Sequence, residues 1–119
     1  MLLQTVTPVS VLGTTVLLAL FLSVTAHIAA RNVLGDVDPR RALYIGPLPA
    51  VISVVGNAFD LPGALILLAA LLVDGTMFWW SYQQPPRAVA AMTLIHTVVT
   101  TILSGLLLLI SVLLASMPG

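Results

Sequence analysis

The chain contains no cysteine and no lysine, and only 7% of its 119 residues are charged. Without Cys, disulfides, thiolate metal sites and cysteine nucleophiles are excluded. Basic and acidic residues number 4 each, so the net charge is zero and no basic face exists to hold a nucleic acid. An average soluble domain is roughly 25% charged, and a water-exposed surface cannot be built from so few charges when 60% of the chain is hydrophobic. The outside must therefore face lipid. Enzyme signatures are lacking too: there is no H-E-x-x-H, no G-x-S-x-G, no glycine-rich phosphate loop and no paired carboxylates within one helix. Asp36 and Asp38 flank Val37 beside Pro39, a pattern of solvated loop charges rather than of a metal site. No enzymatic activity, metal or cofactor is expected.

What is present is apolar sequence in long runs. The first, from Pro8 to Ala30, has about 23 residues, enough to cross a hydrocarbon core of about 30 Å at about 1.5 Å per residue. A secretory signal peptide would want basic residues ahead of a shorter core and a small-x-small cleavage site; only Met-Leu-Leu-Gln-Thr-Val-Thr precedes Pro8, so a retained helix is expected. A polar connector, Arg31 to Arg41, follows, broken by Gly35 and Pro39. The second run, Ala42 to Phe59, is short. Pro47 and Pro49 near its start delay the regular helix to about Gly46 to Pro49. Asp60-Leu-Pro-Gly63 then reverses the chain, with Asp60 as the expected N-cap of a third helix that runs to about Tyr82. Gln83 to Arg87 closes that helix, and a fourth extends from about Ala88 to Ser116. The reading is an all-α, single-domain membrane bundle over 1–119, with four antiparallel up-down spans at about 8–30, 44–60, 62–83 and 88–116.

Four spans place Arg31, Arg40, Arg41 and Arg87 on one face, where they are expected to contact lipid headgroups. The positive-inside rule makes that face cytoplasmic and both termini extracytoplasmic, in a cell membrane. Tyr44, Trp79, Trp80 and Tyr82 fall near the same ends, as an interfacial aromatic belt would.

Small residues recur at helical spacing. Gly46, Ala50, Ser53, Asn57 and Asp60 form one stripe on the second helix, and Ala19, Ser23, Ala26 and Ala30 another on the first. On the fourth, Thr93, Thr97, Thr100, Ser104 and Ser111 share a face with His96 beside it. Ser53, Asn57, Thr93, Thr97, Thr100 and Ser104 thus make either a packing face or a polar path.

Asp74 lies inside the third helix, and an ionisable group at that depth is costly enough to need a reason. His96 is its natural partner. Both sit roughly 12 to 15 Å from the loop that joins the third and fourth helices, on successive antiparallel helices. The two residues either lock the bundle through a hydrogen bond or bind a proton between them. His27, one turn before Arg31, reads as interfacial; a haem held between His27 and His96 fits poorly, because their depths differ by roughly 6 Å.

The stretches Thr25-Ala-His-Ile-Ala-Ala-Arg-Asn-Val-Leu-Gly-Asp36, Arg41-Ala-Leu-Tyr-Ile-Gly-Pro-Leu-Pro-Ala50, Leu-Val-Asp74-Gly and Thr-Leu-Ile-His96 resemble small multi-pass membrane proteins of halophilic archaea with no assigned activity. The resemblance implies a membrane location and no mechanism. The reading taken is a structural or accessory subunit, docking other membrane proteins or itself as a homo-oligomer through helix packing. The alternative is a small proton or ion transporter or channel that uses Asp74 and His96.

Overall fold

A computed structural model describes residues 7–118; the ends of the expected domain, 1–6 and 119, lie outside the described residues. Thr7 opens the first helix, α1 (Pro8–Leu34), its hydroxyl accepting from the Ser10 amide at 3.0 Å while Pro8 takes a first-turn place that needs no N–H donor. The helix runs four residues past the expected Ala30. Arg31, Asn32, Val33 and Leu34 are all compatible with a helix, and the left-handed Gly35, at φ 83°, is what stops it.

Asp38 then accepts from the Arg40 amide at 3.0 Å and starts a 3-10 turn, Pro39–Tyr44. The next helix, α2 (Pro47–Ala58), begins at Pro47, where the prolines pointed. Its N-cap, Gly46, is buried against Ala19 and Ser23 of α1, about 11 residues before α1 ends. The connector therefore climbs roughly 16 Å alongside α1 before α2 begins. This is why the helix is only 12 residues long, where the sequence suggested a span over 44–60. Its length of about 18 Å falls short of a bilayer core; the 3-10 turn ahead of it, at about 2.0 Å per residue, adds about 12 Å.

At the far end Asp60 is not a cap for the third helix. It adopts the left-handed conformation, φ 59°, that ends α2, and the Leu61 amide donates to the Gly56 carbonyl at 3.0 Å. Pro62 precedes α3 (Gly63–Tyr82), which ends on a left-handed Gln83, and α4 (Pro86–Ala115) follows at once. Among the described residues, three helices (α1, α3 and α4) are long and apolar enough to cross a membrane.

Each helix packs on its chain neighbours, and α1 closes the ring against α4. Packing is uneven along the axis. At the arginine-bearing end Ala26, Ala29, Ala30, Ala42, Ile45, Phe78, Tyr82 and Met92 form a closed core. Toward the Asp60 turn α2 and α3 stay in contact through Gly56 and Ile66, while α4 from Leu106 to Leu114 is exposed throughout. In lipid such a surface carries no penalty.

Candidate functional site

The antiparallel run of α3 and α4 brings Asp74 and His96 level, because each is set back by two to three turns from the Gln83–Pro85 reversal. Both are buried, at 4% and 3% exposure, and His96 Nδ1 lies 2.5 Å from Asp74 Oδ2. The other ring nitrogen reaches α1: Nε2 is 2.8 Å from Thr25 Oγ1 and 3.0 Å from the Leu22 carbonyl. Thr25 donates to that same carbonyl at 3.1 Å, and Thr100 of α4 donates to Thr25 at 2.9 Å. Phe78 stands edge-on to the imidazole, with centroids 5.5 Å apart.

Partner chemistry constrains the protons. The Leu22 carbonyl can only accept, whereas the Thr25 hydroxyl can either accept from Nε2 or donate to it. At the short Nδ1–Oδ2 contact one hydrogen lies between the two atoms. Asp74 Oδ1, also buried, has no hydrogen-bond partner among the described residues.

Asp74 and His96 border a cavity of about 180 Å³ lined by all four helices. Its walls are mostly apolar, from Leu22, Pro49, Leu67, Ala70 and Leu71, with Ser53 of α2 and Thr97, Thr100 and Thr101 of α4 as the further polar residues. Every wall residue lies level with the pair or on its Asp60-turn side. The opposite side is filled by the closed core around Phe78 and Met92. The pair thus faces open space in one direction only.

Of the path residues expected from sequence, Ser53, Thr97 and Thr100 line this cavity. Thr93 instead borders an outer groove of about 850 Å³ between α3 and α4, to which Thr97 also contributes. Asn57 and Ser104 are exposed, and the Asn57 amide donates to the Ser53 carbonyl at 2.7 Å. Thr25, Thr101 and Phe78 carried no sequence expectation, though a threonine flanked by the small residues of α1's packing face was a signal for the first. His27 is half-buried, with Nδ1 unpartnered among the described residues, and stands outside the Asp74–His96 group. With both nitrogens of His96 engaged, a haem between the two histidines would require breaking that group.

The four arginines gather at one end. Arg31 faces Asp36 at 3.6 Å, Arg40 faces Asp38 at 3.4 Å, and Arg87 is exposed. Arg41 donates to the Ser81 carbonyl while the Ser81 hydroxyl donates to the Arg41 carbonyl at 2.9 Å, tying the 3-10 turn to α3. Tyr44 and Trp80 meet edge-on at 5.5 Å and are exposed, as is Trp79. Tyr82 departs from the expected belt: it is buried, stacked on Phe78 at 5.9 Å.

No curated protein and no solved structure matches the chain. A family model does, over residues 5–118, nearly the whole length and all four helices. The chain belongs to the family of unknown function DUF7473.

Proposed function

We propose that this chain is a multi-pass membrane protein that binds and passes on a proton at the Asp74–His96 pair. The observation that carries the reading is the 2.5 Å Asp74–His96 contact at the edge of a cavity lined by all four helices, with Oδ1 left unpartnered among the described residues. A hydrogen bond that only ties helices together is best made in a packed interface with both carboxylate oxygens satisfied, because an unpaired buried acceptor costs about 1–3 kcal/mol. Here the pair borders a cavity of about 180 Å³, and the buried Oδ1 has no partner among the described residues. An imidazole and a carboxylate in hydrogen-bond contact, with a cavity on one face and a packed core on the other, suit a proton-accepting station.

In the bilayer α1, α3 and α4 cross as whole helices, and Pro39–Ala58 crosses as a 3-10 turn followed by a short helix. Broken crossings of this kind recur where membrane proteins line a polar site. The arginine-bearing end is cytoplasmic, with both termini outside. Reconstituted in liposomes under a pH gradient, the chain is expected to dissipate the gradient, and Asp74→Asn to abolish the flux. An intact gradient with correctly inserted wild-type protein overturns the reading.

A second reading, an accessory subunit docking a partner helix, is favoured by one observation: the groove between α3 and α4 lined by Gly75, Ala90 and Thr93. Purification in mild detergent separates the two, since an accessory subunit travels in a complex and a proton carrier needs none.

A further inference from the structure

Thr25 is fully buried on α1, at 0% exposure, and its hydroxyl meets three groups. Nε2 of His96 lies 2.8 Å away, the Leu22 carbonyl 3.1 Å, and the Thr100 hydroxyl, which donates to it, 2.9 Å. A hydroxyl has one hydrogen and two lone pairs, so these contacts occupy it fully. Two arrangements satisfy them. When Nε2 carries a hydrogen, Thr25 accepts from Nε2 and from Thr100 and donates to the Leu22 carbonyl. When Nε2 is bare, Thr25 still accepts from Thr100 and turns its own hydrogen onto Nε2. The Leu22 carbonyl, inside α1, then keeps the amide bond of its own helix. The two arrangements differ by rotation about one C–O bond, with both helices in place.

The other side of the ring has no such freedom. One hydrogen lies between Nδ1 and Oδ2 at 2.5 Å, because two bare, electron-rich atoms would repel at that distance. The hydrogen that the pair gains or loses while this contact persists is therefore the one on Nε2. Asp74 of α3 is the one titratable group that faces the ring among the described residues: α1 presents Leu22 and Thr25, α2 presents Pro49 and Ser53 across the shared cavity, and α4 adds threonines. His27, two residues from Thr25, lies on the opposite side of α1. At Nε2 the Leu22 carbonyl can only accept, so the group able to answer either state is Thr25.

We propose that the proton exchanged by the pair is the one on Nε2, and that Thr25 is its positioning residue, holding the His96 ring in both protonation states by reversing its hydroxyl. On release the N–H bond breaks with its electron pair left on Nε2, and the proton passes to solvent water. No bond of Thr25 breaks. Uptake is the reverse.

This inference rests on the pair being a proton-exchanging centre, and its test is read at the nitrogens so that the two stay distinguishable. In full-length His27→Gln protein labelled with nitrogen-15 histidine, His96 is the one labelled ring, and both its nitrogens are followed by NMR in detergent as pH is raised. Nδ1 is expected to keep its hydrogen while Nε2 passes from hydrogen-bearing to bare. Thr25→Val has the shape of threonine without the hydroxyl. It removes the donor to bare Nε2, while the Leu22 carbonyl still accepts from the protonated form, so the ratio of bare to protonated Nε2 at a given pH falls about fivefold. Thr25→Ser restores the wild-type ratio, and Thr25→Cys, with a weaker donor, falls between. Should Thr25→Val fail to fold, the serine and cysteine variants carry the comparison. A residue that only packs would lower the unfolding temperature on substitution and leave the ratio unchanged, which overturns the proposal, as does loss of the hydrogen from Nδ1 instead. If protons cross vesicles and Nε2 never becomes bare, the inference falls and the proton centre stands. If Nε2 titrates as expected and no gradient is dissipated, the role of Thr25 stands and transport falls. If neither occurs, both fall.

Discussion

Whether Asp74 and His96 stabilise the fold depends on what is taken away. Removing one partner strands the other in a buried site, so His96→Leu is expected to cost about 3–5 kcal/mol. Replacing both, as Asp74→Leu with His96→Leu, removes the stranded charge together with its cause and is expected to recover most of that loss. Thermal unfolding in detergent across the double-mutant cycle measures the difference. At the surface, Asp38 has its carboxyl held below the ordinary value of 3.8, chiefly because it accepts the Arg40 amide hydrogen bond, with the Arg40 side chain and Arg41 adding to the effect. A depressed folded value means the cap contributes at neutral pH, keeps its strength down to the unfolded value, and loses it as pH falls through the folded one. A carboxyl-carbon NMR titration is expected to place Asp38 below the ordinary value of 3.8.

At the scale of elements, α2 lies where glycine lets it lie. A Cβ on Gly46 would overlap the Ser23 hydroxyl and the Ala19 carbonyl and come within 2.5 Å of the Ser23 amide nitrogen, and backbone cannot step aside as a side chain can. Gly46→Ala should therefore push α2 off α1 and destabilise the bundle by about 1–3 kcal/mol. At Gly56 the obstacle is the Ile66 side chain, which can change rotamer, so alanine is expected to cost less there. Gly105 meets nothing within 4 Å, and alanine there should be neutral or stabilising by up to about 1 kcal/mol through helix propensity. The order Gly46, Gly56, Gly105 is checked by unfolding in detergent. The small-residue stripe read from sequence located the first of these contacts and missed the second, since Gly56 lies off the stripe, on the face of α2 that meets α3.

For the whole molecule, the position of α2 decides the topology. The Arg41–Ser81 clasp puts the α1–α2 connector and the α3–α4 reversal at one end, with the Asp60 turn at the other. Since the chain has no cysteine, any introduced one is a unique reporter. Asp36→Cys and Gln84→Cys are expected to react with a membrane-impermeant thiol reagent from the same side, and Asp60→Cys from the other. A segment 39–58 that failed to cross would put Asp36 and Asp60 on one side together.

By itself the sequence determined the helices, their approximate places and their apolar exteriors, though not the end of α1, the extent of α2 or the cap of α3, because the first three depend on local quantities: the length of an apolar run, a glycine or proline at a boundary, a shortage of charge. It also singled out Asp74 and His96, since depth along a helix can be counted from the nearest loop. Only the tertiary structure decided that the pair is anchored through Thr25 on a helix about 70 residues away, that one buried carboxylate oxygen is left unpartnered among the described residues, and that a packed core lies on one side of the pair and a cavity on the other. Those outcomes turn on how far each helix rotates about its axis and slides past its neighbours. That is set by where Gly46 meets Ser23 and where Arg41 clasps Ser81, contacts between segments that no local pattern relates.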